Sequence, residues 1–504
     1  MPKRVIPSAE SADSGLSLAS PLDMSLDSAD GVDELSLTVG VDQPHKTRAL
    51  LQKFGLRDLV PLSVSSVGPL FSVAATGGVM AAKAGIWTLP AIFILAFPFI
   101  VSSFVFRLLN KHFPHSGASY HWSARVIGNT VSRYQAWILI IAYFTSIPPI
   151  AIPAGSYTIA LIAPGEQSSS VLHVTITLFW IIFAAVPLLL GSKPTARITQ
   201  VFFALEMVAL VSFAVIGISR LHAISVPLHF GPPPIGGMLI VAVIAATILD
   251  GWEIDSYAAE ESRKPRQDPG LGGIIGAFGA LIFYLILYPL MLSETPIAKL
   301  ANSNDPLAVW ASRLIPGHSW AMLIPILAST AGGLWLTTYI LTRALYAMGR
   351  ERLVPVSFSR LNKRHVPHIA IIVTLSVTFV VVLIETFISS LSGFFNLVLS
   401  AAGFFLLAEF FMDSLTAVIF LTVGHKKLPE GSLHPHGHRL LLFFSLFSSI
   451  VMGALLVAFF VYGPKAIGAG IDQTLAVLLG LGFVFVFWTK KKKAVPQIFD
   501  GNSA

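Results

Sequence analysis

The sequence predicts an all-α integral membrane protein with about 12 transmembrane helices, and three observations support this fold class. Apolar residues make up 54% of the 504 residues and charged residues only 12%. Soluble domains carry about 25% charged residues, so a soluble chain of this composition could not cover its surface with polar groups. Long apolar stretches also recur along the chain, and Lys and Arg are unevenly distributed between them.

Twelve stretches are long and apolar enough to be spans, because about 20 residues of helix cross a hydrocarbon core of about 30 Å. We number the corresponding helices 1 to 12. In chain order the stretches are 58–82, 86–109, 131–162, 171–190, 196–219, 237–260, 271–292, 321–345, 367–387, 391–422, 440–462 and 472–489.

The predicted domain organisation follows from these spans. Helices 1–10 form a core at 51–425, and helices 11 and 12 follow at 426–493. Residues 1–50 and 494–504 are predicted to be cytoplasmic tails. The first tail is rich in Ser and Asp and lacks an apolar core, so we expect it to be disordered, either as an inert extension or with a regulatory role.

The distribution of basic residues predicts the orientation. With both termini cytoplasmic, 28 of the 33 Lys and Arg residues lie in cytoplasmic segments, which is the asymmetry that membrane proteins show. We therefore expect a multi-pass protein of the cell membrane with cytoplasmic N- and C-termini. The run from Lys490 to Lys493 then lies against anionic lipid, so the predicted partner is the lipid bilayer and not nucleic acid.

Two helices carry interruptions that predict a binding site. In many transporters a helix unwinds near the middle of the bilayer, at matched positions of two inverted repeats. Helix 1 has a Gly-Pro pair and helix 6 has Gly next to acids, and these helices are equivalent if helices 1–5 and 6–10 are the repeats. The predicted substrate-binding residues are Ser65, Ser66, Val67, Gly68, Pro69, Leu70, Phe71, Leu249, Asp250, Gly251, Trp252 and Glu253.

Pro69 gives helix 1 its predicted chemistry. Proline is favoured at the first position of a helix, so a half-helix beginning at Pro69 would direct the N–H groups of Leu70, Phe71 and Ser72 into the gap. A helix N-terminus attracts anions, and a substrate carboxylate is the expected occupant. The alternative is a simple proline kink without a site.

Helix 6 carries acids at a depth where each charge costs about 2.5–3.5 kcal/mol. Asp250, Glu253 and Asp255 must therefore line protein or a wet cavity, or carry protons. Asp250, Glu253 and Tyr257 have the spacing of one helical face, which could hold an amine or a proton. The alternative is that helix 6 ends early and leaves these acids at its cytoplasmic mouth.

Helix 5 contains a lone carboxyl, Glu206, in an otherwise apolar stretch. A carboxyl removed from water can carry a proton near neutral pH. Glu206, Glu253 and Asp250 are therefore the candidate coupling residues. The alternative for Glu206 is a protonated carboxyl that bonds a neighbouring helix.

Three segments resemble one family, the amino acid–polyamine–organocation (APC) superfamily of permeases. Residues 114–128 (PHSGASYHWSARVIG) resemble its P-x-S-G-x-x-Y segment, and residues 342–355 (TRALYAMGRERLVP) resemble its S-R-x-x-Y-A-M-x-R-D-G-x-x-P segment. Residues 251–265 (GWEIDSYAAEESRKP) are similar to its G-F-E/D…A-E-E-x-K-N-P segment. The likeness extends over about residues 55–490.

The resemblance implies a five-plus-five inverted repeat with broken helices 1 and 6 plus two extra helices. It implies transport of amino acids or amines by alternating access, with the substrate held at Ser65–Phe71 and Leu249–Glu253. Glu253 falls where the family often has an acid linked to gating or protons. Glu206 falls where some proton-coupled members have a lysine, so their coupling mechanism does not carry over directly.

The function predicted is secondary transport of amino acids, polyamines or related amines, coupled to protons as a symporter or antiporter. Sodium is the alternative ion, for which Thr337 and Thr338 of helix 8 offer hydroxyl groups. A channel, or a substrate sensor that does not transport, would also be consistent with the sequence. No nucleophile–base set, phosphate-binding loop or structured metal motif is found. We therefore expect neither an enzyme nor a cofactor, and His434, His436 and His438 are not expected to bind metal.

Overall fold

The computed structural model describes residues 49–385, 391–423, 435–467 and 470–491. The predicted tails, apart from residues 49 and 50, lie outside these ranges, as do His434, Lys492 and Lys493. The side chains of His436 and His438 also lie outside the described part of the structure. The predicted domain boundaries and the predicted disorder of the first tail stay predictions.

The described chain is almost entirely helical. Within these ranges one isolated backbone bridge, between Phe54 and Ser262, is the only β-type pairing. The α-helices are α1 (Leu56–Val67), α2 (Pro69–Ala84), α3 (Thr88–His112), α4 (Ala118–Val126), α5 (Asn129–Ile162), α6 (Ser170–Leu190), α7 (Ser192–Ile224), α8 (Ile235–Ile244), α9 (Ala246–Leu249), α10 (Ile254–Tyr257), α11 (Asp268–Glu294), α12 (Ile297–Ala301), α13 (Pro306–Leu314), α14 (Trp320–Arg350), α15 (His368–Glu385), α16 (Leu391–Thr422), α17 (Pro435–Ile467) and α18 (Ile471–Thr489).

These helices confirm the predicted fold class. Nine helical segments in the described ranges are long and apolar enough to cross a membrane, and the first, Leu56–His112, contains predicted helices 1 and 2. Two shorter apolar helices, Ile235–Leu249 and His368–Ile384, correspond to predicted helices 6 and 9. Helix 1 is formed by α1 and α2 and helix 6 by α8–α10, while α4, α12 and α13 lie in connecting segments.

The α7 helix shows why these helices suit a bilayer. Val201, Val208 and Val215 recur every seven residues along one face and are 60–67% exposed. Glu206 and Phe213, on another face, are buried. A surface of exposed valines is favourable when the surrounding solvent is lipid, and the same periodicity places the one acid of this stretch inside the protein.

Helix 1 breaks at Gly68, as the sequence predicts. The α1 helix ends at Val67 and α2 begins at Pro69, with Gly68 between them at φ +57° and ψ +63°. This left-handed conformation is readily adopted only by glycine, and proline is well suited to the first position of the next helix. The Gly-Pro pair therefore both ends one half-helix and begins the other.

Helix 6 breaks at the equivalent place. The α9 helix ends at Leu249 and α10 begins at Ile254, with Gly251 at φ +107°. A Cβ atom on Gly251 would lie 2.6 Å from the carbonyl carbon of Ser66 and 2.7 Å from the nitrogen of Val67. The two breaks are therefore in direct backbone contact, which confirms the prediction of broken helices 1 and 6.

Candidate functional site

The N-terminus of α2 is where a substrate carboxylate was predicted to bind, and its N–H groups have acceptors within the protein. The Leu70 N–H donates to Glu206 Oε1 at 3.1 Å, and the Phe71 N–H donates to Ser329 Oγ at 3.1 Å. The Ser72 N–H donates to the Gly68 carbonyl at 2.8 Å. In this state the protein itself satisfies the donors that the break exposes.

Glu206 is the residue that joins three elements at this point. It lies on α7, is 1% exposed, and accepts at Oε1 from the Leu70 N–H of α2 and from Ser329 Oγ of α14 at 2.6 Å. Ser329 can accept from Phe71 and donate to Glu206 at the same time, because a hydroxyl has one hydrogen and two lone pairs. The carboxyl of Glu206 thus caps the half-helix that begins at Pro69.

Glu253 plays the corresponding part in helix 6. Its Oε1 and Oε2 accept from the Gly251 N–H at 2.9 and 2.7 Å, and Oε1 also accepts from the Tyr143 hydroxyl of α5 at 2.9 Å. Glu253 is 1% exposed. The carboxyl therefore satisfies the backbone that unwinds at Gly251 and fixes the break to α5.

Asp250 is placed differently from Glu253. It has extended backbone, with ψ 175°, is 9% exposed, and lines a cavity between the breaks. The predicted face shared by Asp250, Glu253 and Tyr257 is wrong, because the chain between Asp250 and Glu253 is not helical. The alternative, in which an early helix end leaves these acids at a cytoplasmic mouth, does not hold either: the helix is interrupted after Leu249, but Asp250, Glu253 and Asp255 are all buried within the protein.

The cavity between the breaks is small, about 30 Å³. About 10–15 Å³ holds one water molecule, so the site in this state is too tight for an amino acid. It has hydroxyl and apolar lining as well as one carboxyl. Its lining includes Ser66, Val67, Phe71, Asp250, Ser146 and Thr337.

Four of the twelve predicted site residues line this cavity, namely Ser66, Val67, Phe71 and Asp250. The other predicted residues are not in its lining. Among them, Gly68, Pro69 and Gly251 shape the breaks, and Leu70 and Glu253 hold the break contacts just described. Trp252 is buried, and its indole N–H has no hydrogen-bond partner among the described residues.

Sequence reasoning missed the lining from α5 and α16 and did not assign Thr337 to the substrate. Ser146 precedes the Pro148-Pro149 pair of α5, and two prolines in one span are a signal of an irregular helix that could have been used.

On α14, Thr337 follows Gly332-Gly333, of which Gly333 also lines the cavity. Thr338, the second hydroxyl considered for sodium, donates to the Leu334 carbonyl at 2.8 Å. Leu399 and Ala402 of α16 carry no such signal.

A larger cavity of about 640 Å³ lies on the predicted extracellular side. Its lining includes Gly78, Lys83, Tyr157 and Asn302, and it shares Ala75 with the small cavity between the breaks. A solute entering this larger cavity would therefore arrive next to the small cavity between the breaks.

The predicted cytoplasmic side is closed by the three segments that resemble the APC superfamily. Glu260 accepts from the Ser116 N–H at 3.0 Å and from Arg350 Nη1 at 2.9 Å. Glu261, fully buried, pairs with Arg343 Nε at 2.6 Å. These contacts join the segments containing residues 114–128, 251–265 and 342–355 beneath the site.

A histidine pair belongs to the same closure. The rings of His115 and His121 stack with centroids 3.8 Å apart, and His121 Nδ1 lies 3.2 Å from Glu351 Oε1. Potential metal-ligand atoms of His115, His121 and Glu351 lie within 4.8 Å of one another. Arg350 Nη2, however, lies 3.2 Å from His115 Nε2, so a guanidinium already occupies that position.

Comparison with known proteins agrees with this architecture. The family model described as amino acid permease matches residues 63–499. The branched-chain amino acid permease of Bacillus subtilis (strain 168) is 24% identical over 350 residues, which are 64% of this chain and 72% of that protein. The branched-chain amino acid permease of Lactococcus lactis subsp. cremoris (strain MG1363) is 22% identical over 463 residues, 87% of this chain and 94% of that protein.

A third relative is an exporter. The L-methionine/branched-chain amino acid exporter of Escherichia coli (strain K12) is 25% identical over 338 residues, 64% of this chain and 76% of that protein. All three relatives are permeases or transporters and not enzymes. With two broken helices in contact, a multi-pass helical fold and a family match over nearly its whole length, the chain belongs to the amino acid permease family of the APC superfamily.

Proposed function

We propose that this protein is a secondary active transporter that moves amino acids across the cell membrane by alternating access, coupled to protons, with both termini cytoplasmic. The observation that carries the proposal is the contact of the two breaks beside Asp250, next to a cavity of about 640 Å³ and with an opposite face whose segments are joined by ion pairs. A site reachable from one side at a time is what alternating access requires.

Asp250 is the proposed partner of the substrate amino group. Asp250 lines the cavity, and the charged groups that act on its carboxyl in the described part of the structure, Glu253 and Glu409, are both acids. The C-terminus of α1 adds partial negative charge at the same place, because carbonyl groups at a helix end have no helical partner. An ammonium group fits this surrounding better than an anion does.

The substrate carboxylate would be received at the N-terminus of α2. Glu206 holds the Leu70 N–H in the present state, so its release is the proposed coupling step. A proton on Glu206 removes the negative charge and weakens its hydrogen bond with Leu70. The freed N–H group can then bind the substrate carboxylate, which links proton binding to substrate binding.

The substrate class that suits the cavity is an amino acid with an apolar side chain. The large apolar side chains of the lining are those of Val67, Phe71, Ile150, Ile248 and Leu399, which lie beside five hydroxyl residues and Asp250. Apolar pocket walls with few polar groups favour apolar ligands. The names of the relatives point the same way, since they include branched-chain amino acids and methionine.

The test is ligand binding followed by transport in liposomes. Purified protein is screened by thermal shift against amino acids and polyamines, because a ligand of the folded state raises its melting temperature. Radiolabelled hits are then tested for counterflow. Saturable counterflow identifies a carrier, whereas a channel gives none and a sensor binds without moving its ligand.

The variant Asp250→Asn keeps the size of the side chain and removes its charge. We expect it to weaken binding of the best amino acid about 10- to 100-fold, the usual loss for a hydrogen bond to a charged group. Unchanged affinity would show that the amino group binds elsewhere. Binding of polyamines but not of amino acids would overturn the proposed substrate class.

A further inference from the structure

A second group of buried acids lies beyond the substrate cavity. Glu409 and Asp413, one helical turn apart on α16, are both 0% exposed. The Tyr257 hydroxyl donates to Glu409 Oε1 at 2.7 Å, and Ser119 Oγ donates to Asp413 Oδ2 at 2.9 Å. Gln135 Nε2 of α5 donates to Asp413 Oδ1 at 2.8 Å. We call Glu409, Asp413, Tyr257, Ser119 and Gln135 the α16 acid cluster.

The α16 acid cluster has more acceptors than donors. Glu409 Oε2 and Gln135 Oε1 are buried and have no hydrogen-bond partner among the described residues. Gln135 is itself 0% exposed, and its amide points at the cluster because its Nε2 binds Asp413. A buried acceptor left unpaired costs about 1–3 kcal/mol, and more when it is charged. The cluster therefore lacks a donor.

The charges that face the pair are all negative. Glu409 and Asp413 act on each other, and Glu253 acts on both. The other titratable groups facing them are Asp250, which acts on Glu409, Tyr257 on α10 and Tyr143 on α5. No ion pair joins Glu409 or Asp413 to a Lys or Arg in the described ranges. Two buried carboxylates without a cation are strongly disfavoured in a membrane protein, so the missing donor must also bring positive charge.

A bound proton would supply both the missing hydrogen-bond donor and the missing positive charge. It neutralises one carboxylate and turns one of its oxygens into an O–H donor for the acceptors that lack a partner. A larger cation would need a cavity with several oxygens around it, whereas a proton needs only the groups already in contact.

The α16 acid cluster is connected to the break in helix 6. Tyr143 donates to Glu253, and the Tyr143 and Tyr257 rings are in edge-to-face contact with centroids 5.8 Å apart. Tyr257 in turn donates to Glu409. Two tyrosine hydroxyls therefore lie between the carboxyl that holds Gly251 and the carboxyls of α16.

The cluster also lies towards the predicted cytoplasmic side. Asp413 is nine residues before the end of α16 at Thr422, about 14 Å along the helix axis. Ser119 belongs to α4, in the predicted cytoplasmic segment between α3 and α5. Movement of α4 away from α16 would remove Ser119 from Asp413 and expose the pair to that side.

We propose that Glu409 and Asp413 form a proton-binding site that exchanges a proton with Glu253 and passes it to the cytoplasmic side. The proposal rests on proton-coupled transport as the function. In the step, an O–H bond breaks at Glu253 and one forms at Glu409. In the present state the Tyr143 hydroxyl donates to Glu253 and the Tyr257 hydroxyl donates to Glu409, so a relay through them requires both hydroxyls to rotate towards each other, after which each accepts one proton and releases another. No atom is oxidised or reduced.

The experiment compares accumulation with exchange for Glu409→Gln and Asp413→Asn in liposomes, with radiolabelled L-leucine as the probe. We expect accumulation driven by an imposed pH gradient to fall to the level reached without a gradient. Counterflow of L-leucine at equal pH on both sides is expected to persist, because exchange needs no net proton movement. Proton flux on adding L-leucine, followed with a pH-sensitive dye inside the vesicles, should be lost in both variants.

The matched control is Glu294→Gln. Glu294 is a buried acid of α11 that accepts a hydrogen bond from Trp310 Nε1 at 2.5 Å, and it is not part of the α16 acid cluster. It should keep both accumulation and proton flux. Each variant is first checked for a single peak by size exclusion and for a thermal shift with L-leucine, so that a folding defect is recognised.

Three outcomes separate the possibilities. Accumulation and proton flux at the wild-type level in both variants would overturn the proposal. Wild-type accumulation that follows a sodium gradient and ignores the pH gradient would also overturn it, while leaving amino acid transport intact. Absence of L-leucine binding and transport by the wild-type protein, with another solute transported, would instead count against the proposed function.

Discussion

At each break one carboxyl group accepts hydrogen bonds from backbone N–H groups, as a helix-capping residue does. Glu206 accepts the Leu70 N–H at the start of α2, and Glu253 accepts the Gly251 N–H with both oxygens. Buried N–H groups at an unwound segment need such partners. Replacing either acid therefore changes both a charge and a backbone contact, and the isosteric amides separate the two effects.

Glu206→Gln is the first of these amides. The amide mimics the protonated carboxyl and holds the Leu70 N–H more weakly than the carboxylate does, so we expect the affinity for L-leucine to stay near the value that the wild type reaches when Glu206 is protonated. The pH dependence of uptake should flatten, because the amide cannot take up a proton. Uptake is measured from pH 5 to 8 in liposomes, and a profile identical to that of the wild type would remove Glu206 from the coupling mechanism.

Gly251→Ala tests the contact between the breaks. The added Cβ would lie 2.6 Å from the Ser66 carbonyl carbon, at a φ of +107°, and strain plus overpacking of this kind costs about 3 kcal/mol or more. We expect a clear drop in melting temperature and loss of transport. Gly279→Ala, whose Cβ would lie 3.5 Å from Val64 in an ordinary helix, should be neutral; equal stability of both variants would contradict the close contact.

At the scale of elements, the breaks could be predicted because their causes are local. Gly68 followed by Pro69 ends one helix and begins another with no help from the rest of the chain. The partners of the breaks could not be predicted, since Ser329 and Tyr143 are ordinary residues within long helices and acquire their roles only when α14 and α5 pack beside α2 and α10. Glu409 and Asp413 were missed for a different reason, since two acids within the predicted span 391–422 are the same kind of signal that identified Glu206 and that signal was not used.

The acceptors of the N–H groups at the start of α2 could not be predicted from the sequence either. Helix geometry alone leaves the donors of Leu70 and Phe71 open, and nothing in the neighbouring sequence indicates an acceptor. Glu206 lies 136 positions after Leu70. Its depth in the membrane was predictable from the span, but its direction towards the break was not.

His115, in the loop between α3 and α4, makes the stability of the folded protein depend on pH. Burial and the nearby His121, Arg350 and Arg125 hold the pKa of His115 well below its ordinary value of 6.5. The unfolded state then takes up a proton before the folded state does as the pH falls, so the stability of the protein decreases as the pH falls through about 6.5.

His115→Asn tests this dependence. Asparagine keeps an acceptor near the Gly117 N–H, which donates to His115 Nδ1 at 3.0 Å, but it cannot titrate. We expect the wild-type melting temperature to fall between pH 7.5 and 5.5 and the fall to be smaller in the variant. Parallel curves for the two proteins would show that another group causes the pH dependence.

At the scale of the whole molecule, one face is open and the other is held shut by ion pairs. Glu261 also accepts from the Tyr339 hydroxyl at 2.9 Å and from Ser192, so one carboxyl gathers contacts from α14 and α7. Interfaces of this kind have discrete packed states. The predicted cytoplasmic side is therefore expected to open only when the ion pair between Glu261 and Arg343 breaks.

Glu261→Gln should favour the opposite state. Loss of one partner from a buried ion pair costs about 3–5 kcal/mol, because the remaining charge lacks compensation. We expect a lower melting temperature. In vesicles of known protein orientation, we also expect the ratio of L-leucine efflux rate to influx rate to change relative to the wild type, because the predicted cytoplasmic side opens more readily. Arg350→Lys, at a more exposed pair with Glu260, should have a smaller effect; the reverse ranking would place the closure at Glu260.

The cavity of about 640 Å³ makes the resting orientation directly observable, because the sequence contains no cysteine. A thiol introduced by Asn302→Cys would be the single reactive sulfur in the protein. We expect a membrane-impermeant maleimide to label it in intact cells and excess L-leucine to change the labelling rate. A thiol labelled only after the cells are opened would invert the whole topology and, with it, every inside and outside assigned to this molecule.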